Sequence, residues 1–154
     1  IKLNPKYAIA YYNLGLAKYF LERYEEAIDD YTKAIKLNPK YYRVYNNRGK
    51  AKLELERYRD AIDDYTKAIK LNPKHDIAYY NRGVAKYFLE RYEEAIDDFD
   101  IAIRLDPQDD NYYYYRGLAN SKLKYFEKAI KDFDEAIKLN PKNDDAREAK
   151  DKFN

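Results

Sequence analysis

Three sets of residues in this sequence could do chemistry, and each recurs at a fixed spacing. Asn13, Asn47 and Asn81 stand 34 residues apart. An asparagine amide offers one donor group and one acceptor, which matches what a peptide backbone presents. Adjacent acids stand at Asp29-Asp30, Asp63-Asp64 and Asp97-Asp98. They suggest a cation, but neighbours on a helix point about 100° apart and share an ion poorly, so they read as a solvated helix face. Aromatic side chains form the third set, with Tyr at 20 of 154 residues. Catalytic chemistry has little to draw on. There is no Cys, and His75 is the one histidine. It falls in a predicted loop and reads as a surface residue. No glycine-rich phosphate loop and no GxSxG elbow is present. The chain is therefore read as non-enzymatic, with no catalytic residues, metal site or cofactor.

The elements that must position these residues follow from a repeat. Prolines at 5, 39, 73, 107 and 141 and glycines at 15, 49, 83 and 117 step by 34 and include every Pro and Gly in the chain. The run AKYFLERYEEAIDD occurs at 17–30 and again at 85–98. The reading is four units, 8–41, 42–75, 76–109 and 110–143, with 1–7 as the end of a preceding repeat and 144–154 as a C-terminal capping helix. Ile1, Leu3 and Pro5 match Ile35, Leu37 and Pro39, and Met is absent, so the chain reads as a fragment that begins inside a preceding unit's second helix.

Each unit predicts two helices. In the second, Tyr24, Ala27, Ile28, Tyr31, Ala34, Ile35 and Leu37 form one apolar stripe. Glu25 and Glu26 open it, Lys33 and Lys36 close it, and Asn38-Pro39 stops it. The first helix is expected from about Ala8 to Leu21, with Ala10, Tyr11, Leu14, Gly15, Ala17 and Leu21 inward. Gly15 sits mid-helix, where glycine costs about 1 kcal/mol relative to alanine; its recurrence implies a close approach by the neighbouring helix. The short Glu22-Arg23 link makes the two helices antiparallel.

Charge excludes other classes. Lys and Arg total 30 and Asp and Glu 28, a net charge of +2, which disfavours both a strongly basic nucleic-acid arm and an acidic tail. No apolar run reaches the roughly 18 residues of a membrane span, and membrane insertion is not expected. Compartment is not legible.

Tyr11, Leu14, Gly15, Ala27, Tyr31, Ala34 and Pro39 stand at the places that define the tetratricopeptide repeat, and the sequence resembles that family along essentially its whole length. The Leu becomes Arg48, Arg82 and Arg116 in the other units. The family's bulky residue three after the Gly is replaced by Lys18, Lys52, Lys86 and Asn120, where a Lys stem can still cover apolar surface. The resemblance implies an all-α fold, a right-handed superhelical α-solenoid of antiparallel helix pairs. It also implies a concave groove lined by the first helices, in which a protein or peptide binds.

Carried over by position, the groove residues of unit one are Ile9, Tyr12, Asn13, Leu16, Tyr19 and Phe20. Unit two contributes Arg43, Asn46, Asn47 and Lys50, followed by Leu53 and Glu54. Unit three repeats the pattern of unit one with Ile77, Tyr80, Asn81, Val84, Tyr87 and Phe88. Unit four offers Tyr114 and Leu118, with Asn111, Tyr115, Ser121 and Lys122 around them. Aromatic groove residues supply contact area at low entropy cost, or they pack against the next unit. The three asparagines resemble a backbone-gripping ladder found in some members, broken at Tyr115, or they are copies of a tolerated residue. Members that hold a C-terminal carboxylate use Lys, Asn and Arg from successive units; only an Asn is kept here, so that mode is not expected.

The leading function is a non-catalytic scaffold that binds an extended or helical peptide in this groove, with a basic spot at Arg43 and Lys50. The alternative is a structural or engineered array that self-associates end to end. RNA binding has the aromatic rings for stacking, but the balanced charge argues against it.

Overall fold

The computed structural model describes residues 5–153, and every regular element among them is an α-helix. In order these are α1 (Pro5–Phe20), α2 (Tyr24–Leu37), α3 (Tyr42–Glu54), α4 (Tyr58–Leu71), α5 (Asp76–Phe88), α6 (Tyr92–Leu105), α7 (Asp110–Lys122), α8 (Phe126–Leu139) and α9 (Asp144–Asp151). This is an all-α helical-repeat solenoid. The expected stop signals set the helix ends. Asn38 caps α2, its backbone N–H donating to Ala34 O, and Asn72, Asp106 and Asn140 do the same for α4, α6 and α8.

The start of α1 differs from expectation. It begins at Pro5 rather than Ala8, because proline at a first helical position loses no intrahelical bond. Residues 5–7, read as the end of a preceding repeat, thus belong to α1; residues 1–4 lie outside the described residues.

The link from α1 to α2 holds a left-handed residue that is not glycine. Glu22 has φ 58°, and Glu56, Glu90 and Lys124 match it in the later links at 57°, 59° and 63°. The backbone closes a Schellman-type pair there: Glu22 N–H donates to Tyr19 O and Arg23 N–H to Lys18 O, both at 2.9 Å. These bonds terminate the helix and turn the chain within three residues.

The helices divide into two bodies, Ile1–Ala78 and Tyr79–Asn154. In the N-terminal body α1 packs on α2, α2 on α3 and α3 on α4. Its core joins Ala27, Tyr31 and Ala34 of α2 to Val44 and Ala51 of α3. In the C-terminal body α6 packs on α7, α7 on α8 and α8 on α9. There Ala129 and Phe133 meet Ala149, with Phe153 stacked on Phe133 at 6.3 Å.

Close approach explains the glycines. A Cβ added at Gly15 would lie 2.7 Å from the Tyr31 ring, and one at Gly83 would lie 2.6 Å from Cε1 of Phe99. Both rings are fully buried. The second helix of each pair therefore lays its aromatic ring directly on the first helix's backbone.

The inward face expected for the first helix is only partly inward in α1. Gly15 is buried and Tyr11 half-buried, but Ala10, Leu14, Ala17 and Leu21 are exposed, Leu21 at 66%. The equivalent Val44 and Ala51 are fully buried because α2 covers them, and α6 covers Tyr112 and Ala119 in the same way. No described helix lies on that side of α1.

Candidate functional site

Polar chemistry is concentrated at the back of each helix pair, where the sequence reading placed only solvated acids. Asp29, Asp63 and Asp97 are exposed as expected. Their neighbours are not: Asp30 and Asp98 are 2% exposed and Asp64 is 4%. Each meets cations of its own first helix. Arg48 grips Asp64 with two bonds of 2.9 and 2.7 Å, and Lys52 adds a third at 2.7 Å. Arg82 and Lys86 repeat the arrangement on Asp98. In the last pair Arg116 and Asn120 hold Asp132. Lys18 is the one first-helix cation on Asp30, at 2.6 Å, because Leu14 stands in the arginine's place; Lys33 of α2 adds a longer contact at 3.4 Å. The hydrogen bond from Lys18 to Asp30 raises the Lys18 pKa above the usual value.

These pairs replace the family's apolar contact with a bidentate charged one. Arg–carboxylate forks are among the strongest hydrogen bonds available and fix geometry. They are internally satisfied, so they hold the helices and offer nothing to a ligand. Among the described residues no cluster of His, Asp or Glu could hold a metal ion.

The groove residues of the N-terminal body behave differently. Ile9 and Phe20 are 49% and 74% exposed, and Asn13 is also exposed. Tyr12 and Tyr19 are half-buried against the α2 and α3 core. Tyr12 lies 5.2 Å from the Tyr41 ring, and its OH accepts from Asn47 Nδ2 at 3.0 Å. Tyr19 stands edge-on to Tyr24, and its OH donates to Glu54 at 3.0 Å. Lys50 lies over the Tyr19 ring at 5.6 Å. Burial, with the bond to Glu54, pushes the Tyr19 phenol well above its usual pKa, so it remains a donor at neutral pH. Leu16, Tyr19, Phe20, Tyr31, Asn47 and Lys50 line a cleft of about 50 Å³, room for a short aliphatic side chain or a few waters. The buried Tyr31 OH at this cleft has no hydrogen-bond partner.

Three expected groove residues are not accessible. Asn46 is 5% exposed, Asn81 8% and Val84 6%. Their positions were carried over from one helix at a time, whereas the packing of neighbouring helices decides exposure. Arg43 is exposed, Ile77 is 44% exposed, and Leu53 is half-buried beside exposed Glu54.

In the C-terminal body the ladder's break has a structural consequence. Tyr115 occupies the place of Asn47, and its ring lies 5.6 Å from Tyr80 and 6.2 Å from both Tyr87 and Phe99. Tyr114 packs edge-on to it at 5.4 Å. The space that is open between the equivalents in the N-terminal body is filled here by the protein's own ring. Phe88 remains 47% exposed, and Leu118 is half-buried beside Phe133. A depression of about 550 Å³ in this body lies elsewhere, beside Asp97, Asp100, Arg104 and Arg116. Arg116 and Asp100 are already paired there at 2.6 Å.

His75 is in the expected loop but is not a free surface histidine. It is half-buried, lies edge-on to Tyr42 at 5.1 Å, and its buried Nε2 has no partner. Desolvation lowers its pKa below 6.5 and Arg43 adds to this, while Asp76 opposes it. The unfolded chain therefore binds this proton more readily than the folded one. Stability should be unaffected above pH 6.5 and should fall as pH drops through 6.5 toward the folded pKa. Replacing His75 by glutamine should flatten this part of a pH series of urea midpoints; an unchanged slope would contradict the assignment.

The fold and these surfaces define a protein-interaction scaffold built of helical repeats. Family models of the tetratricopeptide repeat match residues 8–41, 46–110 and 110–143. The chain belongs to the tetratricopeptide repeat family, whose members are generally non-catalytic. Among solved structures it is similar to the TPR domain of Arabidopsis OM64, with 35% identity and a TM-score of 0.71 over 79% of this chain and 97% of that one. It is similar to the first TPR of Spaghetti (RPAP3) bound to the HSP90 peptide SRMEEVD, at 27% identity and TM-score 0.76, covering 79% and 98% of the two chains. It also resembles MamA from Desulfovibrio magneticus RS-1, at 25% identity and TM-score 0.82, over 93% and 79%. No curated protein sequence matches it. No helix among the described residues is long and apolar enough to cross a membrane.

Proposed function

We propose that the N-terminal body binds a peptide segment along α1 and α3. The observation that carries this reading is the cleft at Leu16, Tyr19, Phe20, Tyr31, Asn47 and Lys50, open where Tyr115 closes its counterpart. A short aliphatic side chain fits against Leu16 and Tyr31. Asn13 is free to meet the peptide's backbone, and the basic Lys50 and Arg43 favour an acidic residue beside the anchor. The peptide held by the RPAP3 repeat is support for an acidic ligand on this fold. The Lys and Arg of a terminal-carboxylate clamp are absent at their expected places, which favours an internal segment over a chain end.

The test uses a peptide selected from a random display library against the intact chain, then labelled with fluorescein. Phe20→Ala with Lys50→Glu should weaken its binding about tenfold or more. Phe20 is preferred to Tyr19 because it is exposed, so helicity by circular dichroism should not change. Wild-type affinity in this double variant would refute the groove assignment.

A further inference from the structure

We infer that the link between α7 and α8, together with the exposed side of α8, is a second docking surface that takes an acidic, extended segment of a partner protein. The last repeat reverses its charge at three places. Glu22, Glu56 and Glu90 give way to Lys124; Glu26, Asp60 and Glu94 to Lys128; and Asp29, Asp63 and Asp97 to Lys131. All three lysines are exposed, and none forms an ion pair among the described residues.

The exchange removes an internal ion pair as well as adding cations. Glu26 accepts two bonds from Arg23, at 2.7 and 2.6 Å, and Glu94 accepts the same two from Arg91. In the last repeat Tyr125 stands in the arginine's place, so Lys128 lies over the Tyr125 ring at 5.2 Å instead of beside a carboxylate. A lysine in the first turn of a helix is also disfavoured by the helix dipole. Lys128 therefore gives α8 no local support to replace the lost pair, and what it does add is positive charge facing outward. Tyr125, 50% exposed, sets an apolar contact beside that charge.

The geometry selects the partner's chemistry. Lys128 and Lys131 line a cleft of about 330 Å³ with Ile96 and Asn120. Asp100 and Asp132 line it too, but Arg116 holds both, each at 2.6 Å. The two lysines are thus the cations available to a ligand. At i,i+3 on a helix their Cβ atoms stand about 5–6 Å apart. Alternate side chains of an extended chain point the same way about 7 Å apart, a spacing that two flexible lysines can meet. Ile96 and Tyr125 offer apolar cover to the residue between. Asp97 and Asp100 in the adjoining depression would repel the unbroken charge of a nucleic-acid strand, whereas discrete carboxylates can stay clear of them.

The probe is a fluorescein-labelled peptide of alternating glutamate and alanine, added to the intact, isotope-labelled chain at low salt. It should shift the amides of Lys124, Lys128 and Lys131, and its glutamine counterpart should not. Lys128→Glu with Lys131→Asp restores the residues of the third repeat, so helicity should be kept while affinity at this surface falls about fivefold or more. Phe20→Ala with Lys50→Glu, the change that tests the groove, should leave these shifts intact, so the two surfaces stand or fail separately. Absence of shifts at the three lysines, unchanged affinity in the lysine double variant, or tighter binding of a fluorescein-labelled oligothymidine at the same residues would each overturn the proposal.

Discussion

Asp98→Ala is expected to destabilise the protein by about 3 kcal/mol or more, because it strands Arg82 and Lys86 without their shared carboxylate. The two cations are 17% and 11% exposed and Asp98 3% by side chain, so water can recover little of the lost interaction. Asp97→Ala, one residue away on the exposed side, should change stability by less than about 0.5 kcal/mol. Asp30→Ala should cost less than Asp98→Ala, since Lys18 is its one first-helix cation and is 20% exposed. Urea titrations followed by circular dichroism distinguish these outcomes. Equal effects at Asp97 and Asp98 would show that the buried pairs do not hold the helices. Because repeats in a solenoid need not unfold together, the comparison belongs on transition midpoints of otherwise identical chains.

Gly83→Ala is expected to be destabilising even though alanine is the better helix former by about 1 kcal/mol. The added Cβ would meet Phe99 Cε1 at 2.6 Å and Cδ1 at 2.9 Å. The ring is completely buried, so it cannot swing into solvent, and relief requires moving α6 away from α5. Overpacking of this kind costs about 1–3 kcal/mol. Phe99→Leu in the same chain shortens the offending side chain, so the double variant should be more stable than the sum of the single changes by about 1 kcal/mol. A stabilising Gly83→Ala, or strict additivity, would mean that contact with the ring does not explain this glycine.

Both results bear on what could be read in advance. The period, the helix pairs and the stops of the second helices were legible because proline and glycine mark positions where backbone geometry leaves few choices. The buried acids were not. Asp29 and Asp30 are chemically identical, and only the partner helix decides which one enters the interior. A signal did exist: Arg48 and Lys52, like Arg82 and Lys86, stand four apart on the side of the first helix turned to the second, always a fixed distance before the acid. Recurrent cations at positions where the family carries apolar residues call for a buried counter-charge.

Which of the expected groove positions are accessible was not legible, for a similar reason. Asn13, Asn47 and Asn81 occupy one position in three helices, yet the first is exposed, the second is tied to Tyr12 and the third is buried. Equivalent positions differ because their surroundings differ from repeat to repeat. The break at Tyr115 was visible in the sequence, but its effect, a ring seated against Tyr80 and Tyr87, required the tertiary packing. The same logic separates α1 from α3: similar stripes, one covered by a helix and one bare.

Amide chemical-shift mapping with the library-selected peptide on the intact, isotope-labelled chain tests the binding site most directly. The account predicts that the largest shifts fall on Leu16, Phe20, Asn47 and Lys50, with α7 and α8 little changed. Shifts centred on Tyr114 and Tyr115, or on the Asp97–Arg116 depression, would contradict it.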